Sequence, residues 1–166
     1  LLSLARTDDT ERKPVLERTD FSYLVADSVL SFEPLVYESG RELAYDTADG
    51  LTVLGDPSGL TQLVGVLLEN AVKYSSPGGT VSVRLEAAGK WVRLSVANTG
   101  GPIAPEDLTR IFERFYRGDP SRHGDGGHGL GLSIARSIVE AHRGKIWAQS
   151  ENGVNTFTVL LPCAKA

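Results

Sequence analysis

Phe21, Leu24, Val25, Ser28, Val29, Phe32 and Leu35 recur close to every 3.6 residues, a spacing that predicts an amphipathic helix. Asp20 is suited to cap its start and Gly40 to stop it. A second stripe, Leu60, Leu63, Val64, Leu67, Leu68, Ala71 and Val72, follows Asp56-Pro57, where proline at the first helical position loses no intrahelical bond. Elsewhere the period drops to two. Residues 80–86 and 91–96 alternate apolar and polar about a short Gly-containing turn and predict an antiparallel pair with one buried face. Residues 41–46 and 51–54 flank Asp49-Gly50 and read as a two-stranded hairpin. Residues 1–9 have apolar positions at helical spacing and read as the last turns of a helix. A loop over residues 103–105 leads to a short helical stretch, a Gly-rich loop and a helix over 130–142. Strands over 145–149 and 155–161, joined through Asn152-Gly153, complete the order. The sum is an α+β two-layer sandwich, with a mixed, mostly antiparallel sheet of about five strands covered on one face by about three helices.

Composition narrows the picture. At 166 residues and 41% hydrophobic, the chain supports one domain with a real core. The balance of 17 basic against 21 acidic residues, net -4, with no basic stripe, disfavours nucleic acid as a partner. The lone Cys163 has no internal partner for a disulfide, which fits a reducing compartment. No apolar run approaches the roughly 20 residues that span a bilayer. These features lead us to expect a soluble, monomeric, cytoplasmic unit. The chain has no methionine, even at position 1, and is expected to be a fragment of a longer protein.

Candidate chemistry begins at Gly127-His128-Gly129-Leu130-Gly131-Leu132, which runs from a Gly-rich loop into a helix. Glycines let backbone amides close on an anion, and the start of a helix adds unpaired N–H groups and a positive dipole end. An ordinary loop is the plainer alternative. A dinucleotide fingerprint needs an apolar strand before the glycines, and residues 117–126 are polar and Gly-rich. A P-loop needs Gly-Lys-Ser/Thr, whereas Leu132 and Ser133 follow Gly131. A protein-kinase loop needs a strand with a lysine, and a helical pattern follows instead.

Four segments stand in one order: Leu68-Glu69-Asn70-Ala71-Val72-Lys73-Tyr74, Val96-Ala97-Asn98-Thr99-Gly100-Gly101-Pro102-Ile103, Ile111-Phe112-Glu113-Arg114-Phe115-Tyr116-Arg117, and the Gly127–Leu132 run. They resemble the N, G1, F and G2 boxes of the catalytic ATP-binding domain of bacterial two-component sensor histidine kinases, over roughly residues 18–162. The resemblance implies a Bergerat (GHKL-type) fold with ATP lying between the helices and under a lid at about residues 118–129. It divides the chain into residues 1–12, the truncated tail of the dimerisation helix, and residues 13–166, the catalytic domain. It further implies a parent anchored in the inner membrane. Its partners would be the dimerisation and histidine phosphotransfer domain of that parent and the receiver domain of a response regulator. The phospho-accepting histidine is absent, since His123, His128 and His142 all lack the family's surroundings for it.

By the same resemblance Asn70 offers its amide oxygen to Mg²⁺, a hard cation that takes oxygen ligands, and Lys73 neutralises phosphate charge. A solvated polar helix face is the bland alternative for both. Tyr74 contacts a phosphate or ribose, or simply packs. Asn98 stands where the family usually has Asp and accepts from the adenine amino group; a turn-forming Asn is the alternative. An Asn is free to turn its amide over, which predicts weaker base discrimination than Asp. Gly100 and Ile103 line the same loop, and Pro102 replaces a second glycine. Arg117 matches the terminal phosphate as a planar cation, with Arg122 and His128 assisting from the lid or standing exposed. Tyr116, Gly127, Gly129, Leu130, Gly131 and Leu132 complete the nucleotide contacts. Phe112 and Phe115 serve either the core or docking of the lid.

In the ATP-hydrolysing relatives of the superfamily a Glu one turn before the metal-binding Asn activates water. Here that position is Val66, and Glu69 lies about 100° around the helix from Asn70. Transfer to another nucleophile is thereby expected over hydrolysis. An ATPase clamp and a nucleotide-binding module without catalysis are the rival readings.

Overall fold

Both long apolar stripes form helices in the computed structural model, which describes residues 15–114, 116 and 131–164. Helix α1 (Phe21–Glu38) starts where the carboxylate of Asp20 accepts the N–H of Tyr23 at 3.0 Å. Helix α2 (Pro57–Tyr74) starts where Asp56 accepts the N–H of Gly59 at 3.2 Å. Each cap supplies an acceptor for a donor that has no partner inside the helix. Every residue of the predicted α2 stripe is buried. A third helix, α3 (Gly131–Ala141), occupies the third helical pattern, and its buried Ser133, Ile134, Ala135, Ile138 and Val139 face the core. It ends where the ring of the buried His142 reaches back to the Ile138 carbonyl and accepts the N–H of Asp56, joining the end of α3 to the cap of α2.

The strands are β1 (Glu17–Asp20), β2 (Glu42–Thr47), β3 (Thr52–Gly55), β4 (Thr80–Ala88), β5 (Trp91–Thr99), β6 (Lys145–Glu151) and β7 (Val154–Pro162). Five of them make the main sheet in the order β2-β4-β5-β7-β6, parallel between β2 and β4 and antiparallel elsewhere. Register places Val83, Val96, Phe157 and Ala148 in one cross-strand row and Leu85, Leu94, Val159 and Ile146 in the next. These rows share one face, and they join the inner faces of the helices in a single apolar core. This is the expected one-sided sandwich. Asn152 and Gly153 both take positive φ, 52° and 77°, the twist-matched turn of a tight β-hairpin. The expected short helical stretch is two 3₁₀ turns, Pro105–Asp107 and Arg110–Phe112. Phe112 belongs to the core, edge-on to Phe157 with centroids 6.1 Å apart.

The expected hairpin over residues 41–54 does not form. Strand β2 pairs with β4, and β3 pairs antiparallel with β1, a strand that the sequence pattern did not announce. The cause is the hydroxyl of Ser22, which donates to Ala48 O at 2.6 Å and accepts the N–H of Leu51 at 2.9 Å. Leu51 O in turn takes the amides of Phe21 and Ser22. The backbone groups that would close a hairpin are committed to the start of α1. The expectations for residues 1–12 and for the lid at 118–129 fall outside the described residues.

Arg41 ties the two long helices together at their C-terminal ends. Its Nε donates to Ser75 Oγ at 2.7 Å, one guanidinium nitrogen to Ser75 O at 2.8 Å and the other to Ser39 O at 2.7 Å. A planar cation here satisfies unpaired terminal carbonyls and opposes the negative ends of two dipoles. Arg41→Ala should therefore lower the unfolding free energy by about 2–3 kcal/mol, read as a fall in the denaturant midpoint at constant m. Arg41→Lys should recover only part of this loss, because one ammonium cannot span both helix ends.

Candidate functional site at the C-terminal end of helix α2

Helix α2 buries Leu67, Leu68, Ala71 and Val72, which leaves Asn70 and Tyr74 half-buried and Lys73 exposed at its C-terminal end. Asn70 stands three residues from Lys73 and four from Tyr74, so the three lie along one side. Lys73 Nζ stands 5.4 Å above the Tyr74 ring, a cation held over an aromatic face.

The end of α2 meets the end of β5. Asn98 is almost fully buried, and its Nδ2 donates to the carbonyls of Tyr74 and Thr99, both at 3.3 Å. Two carbonyl acceptors assign the amide's orientation, since turning it over would set its oxygen against both. The freedom to flip expected from sequence is thus removed: Oδ1 faces away from Tyr74 O and accepts nothing among the described residues. Ser76 N–H to Thr99 O at 2.8 Å and Thr80 N–H to Thr99 Oγ1 at 2.9 Å fasten the same junction. Gly100 is required here, because a Cβ would fall 2.7 Å from Tyr74 O and 3.0 Å from Asn98 Nδ2.

The loop beyond β5 is held by two residues that the sequence reading missed. Ile103 N–H donates to Ser150 Oγ at 2.9 Å, Ser150 Oγ–H to Asn155 Oδ1 at 2.6 Å, and Asn155 Nδ2 to Gly101 O at 2.9 Å. One signal was present in the sequence: Asn155 sits two residues before Phe157 on a period-two strand and hence on its inward face.

The start of α3 closes the third side. A Cβ on Gly131 would meet Val66 Cγ1 at 3.5 Å, so α3 begins against the stretch of α2 one turn before Asn70. Gly131 is exposed and Leu132 half-buried. Asn70, Lys73 and Tyr74 therefore lie on α2, with Asn98, Gly100 and Ile103 at the end of β5 and in its loop against one end of that stretch, and Gly131 and Leu132 at the start of α3 against the other. Tyr116 is engaged by the 3₁₀ segment: its hydroxyl donates to Asp107, and the Arg110 guanidinium lies 4.6 Å from its ring centre. The Asp107 hydrogen bond raises its pKa, helped by desolvation and the Asp107 charge and opposed by Arg110. Arg117, Arg122, Gly127, His128, Gly129 and Leu130 lie outside the described residues. Among the described residues no group of three or more His, Cys, Asp or Glu is placed to hold a metal ion. No helix among them is long and apolar enough to cross a membrane.

The family model described as histidine kinase-, DNA gyrase B-, and HSP90-like ATPase matches residues 55–165. The chain is 39% identical over 163 residues to the sensor histidine kinase CusS of Escherichia coli (strain K12), covering 98% of this chain and 34% of that protein. It is 34% identical over 165 residues to the sensor-like histidine kinase SenX3 of Mycobacterium tuberculosis (strain H37Rv), covering 98% of this chain and 40% of that protein. It thus spans between a third and two-fifths of the length of these curated relatives. Among solved structures it is similar to the nucleotide-free catalytic domain of histidine kinase ThkA, with a TM-score of 0.77, 28% identity and coverage of 89% of this chain and 95% of that one. It is also similar to full-length ShkA in complex with AMPPNP, with a TM-score of 0.83, 30% identity and coverage of 99% and 35%. For ThkA in complex with the response regulator TrrA the TM-score is 0.77 at 25% identity, with coverage of 90% and 42%.

The orientation of the Asn98 amide has a direct consequence. Asn98→Asp at neutral pH removes both donors and sets a carboxylate oxygen against two carbonyls. It should cost about 1–3 kcal/mol in denaturant unfolding without nucleotide. Undiminished stability would mean that the amide is turned the other way.

Proposed function

The chain belongs to the histidine kinase-, DNA gyrase B-, and HSP90-like ATPase family, and we propose that it is the ATP-binding catalytic domain of a sensor histidine kinase. In this reading it binds Mg-ATP and presents the γ-phosphoryl to a histidine on the parent's dimerisation domain, for onward transfer to a response regulator. The observation that carries the reading is the convergence of Asn70 and Lys73 on α2, Asn98 at the end of β5 and the first turn of α3. The AMPPNP complex of ShkA and the TrrA complex of ThkA support a nucleotide and a response regulator as its ligand and partner. The parent would be anchored in the inner membrane with this domain in the cytoplasm.

Each group has a part in the chemistry. Asn98 Oδ1, fixed as an acceptor, suits the adenine amino group and opposes the carbonyl that guanine carries at the same place. Lys73 is the exposed cation for phosphate charge, and the start of α3 adds backbone N–H groups and a positive dipole end. The donor set fits magnesium only in part: Asn70 supplies one neutral oxygen, so phosphate oxygens and water must complete the shell. When bound, the ion neutralises phosphate charge. Catalysis is then positioning and charge stabilisation, as a loose phosphoryl transition state requires. Val66 stands where a water-activating carboxylate would, which favours transfer over hydrolysis.

Three experiments test this. ATP should bind more tightly than GTP, and Asn98→Ala should narrow the difference; equal binding of the two by the unaltered chain would remove Asn98 from the base site. Asn70→Ala should weaken ATP binding in Mg²⁺ by roughly tenfold to a hundredfold and leave metal-free binding nearly unchanged. With γ-labelled ATP the chain should hydrolyse slowly and take no label itself, and it should label the parent's dimerisation helices supplied in trans. Fast hydrolysis with no label passed on would favour an ATPase clamp, and absence of ATP binding would end the reading.

A further inference from the structure

Inward-facing positions on β5, β6 and β7 are apolar along most of their length and then change character together. Val96, Phe157 and Ala148 form one registered row; two residues further along, the row is Asn98, Asn155 and Ser150. Asn98 and Asn155 are both nearly fully buried. Apolar side chains at these places would have extended the core, and buried amides need partners to offset their desolvation. Asn98 finds them in the carbonyls of Tyr74 and Thr99, and Ser150 and Asn155 find theirs in one segment beside it, the loop from Gly100 to Ile103.

We infer that Ser150 and Asn155 are positioning residues for the nucleoside end of the nucleotide site; the inference rests on the reading above. The Ser150 hydroxyl can both accept and donate, so it relays from Ile103 N–H to Asn155 Oδ1, and the Asn155 amide spends its N–H on Gly101 O. Asn155 Nδ2 also lies 3.6 Å from where a Cβ on Gly100 would be. The loop is thus fastened at Gly101 and at Ile103, with Pro102 between them fixing φ and needing no donor's partner. Gly100 N–H bonds Gly153 O at 3.0 Å, which ties the loop to the β6–β7 turn as well. A proline in place of the family's second glycine is matched by tethers on either side, so the loop's shape is set before a base arrives. Neither Ser150 nor Asn155 is required to touch the nucleotide, since both act through the backbone of the loop that carries Ile103.

The test is equilibrium titration of the 166-residue chain with Mg-ATP and separately with adenosine, alongside nucleotide-free unfolding. Ser150→Ala should weaken ATP and adenosine by the same factor, about three- to tenfold, the size expected of one lost hydrogen bond. Ser150→Thr keeps the hydroxyl and should bind as the unaltered chain does. Asn155→Asp retains the acceptor for Ser150 but sets an oxygen against Gly101 O, and should lose at least as much as Ser150→Ala. The double variant Ser150→Ala, Asn155→Ala should lose little more than its worse single, because the two belong to one chain of bonds. Should an Asn155 variant unfold, the Ser150 pair decides alone. If the unaltered chain binds ATP and Ser150→Ala binds both ligands equally well, the inference fails and the functional reading stands. If ATP affinity falls while adenosine affinity holds, the effect lies at the phosphates and the inference again fails. If the unaltered chain binds no ATP, the functional reading falls and takes the inference with it.

Discussion

Helix α2 must leave the carbonyls of its last turn without intrahelical partners, and what receives them determines where the candidate site lies. Tyr74 O accepts from the buried amide of Asn98, and both the hydroxyl and the carbonyl of Ser75 are taken by Arg41. The first bond locks the helix that carries Asn70 and Lys73 to the strand that delivers Asn98 and the loop behind it. The second holds that helix end to the end of α1. Gly100 follows from the same contact, because the approach that lets Asn98 reach Tyr74 O leaves no room for a Cβ.

Much of this was legible because it depends on short-range physics. The α2 stripe needed only a period of 3.6 with Asp56-Pro57 before it, and the structure buries that stripe residue for residue. The β4–β5 pair needed only a period of two and a turn. The candidate site was read in another way. Asn70, Lys73, Asn98 and Gly100 carry no periodic signal that separates them from a solvated face or a turn, and their meaning came from four ordered motifs resembling one family.

What escaped reading was decided by long-range bonds. Residues 41–54 contain a fair hairpin pattern, yet one serine hydroxyl at the start of α1 removes the backbone groups the hairpin needs, and β2 pairs with a strand nearly forty residues later. Strand β1, Glu17–Asp20, has no apolar alternation at all and exists because β3 offers an open edge. Ser150 and Asn155 were missed for the opposite reason. Their positions on the inward face were predictable, but their polarity becomes informative only once the loop they hold is known to approach.

The packing of Val66 bears on the chemistry as much as on the fold. Its side chain packs against the core and stands close to the first residue of α3, filling the space between the helix bearing Asn70 and the helix start proposed to face phosphate. A carboxylate in that position would lose part of its hydration against apolar neighbours and would stand beside phosphate charge. Both effects raise the free energy of the ionised form that must act as base. The apolar spacer avoids that conflict and lets the two helices close. In the proposed reading the consequence is that α2 offers no carboxylate one turn before Asn70 to draw a proton from water. That fits the proposed transfer to a nucleophile on another part of the parent.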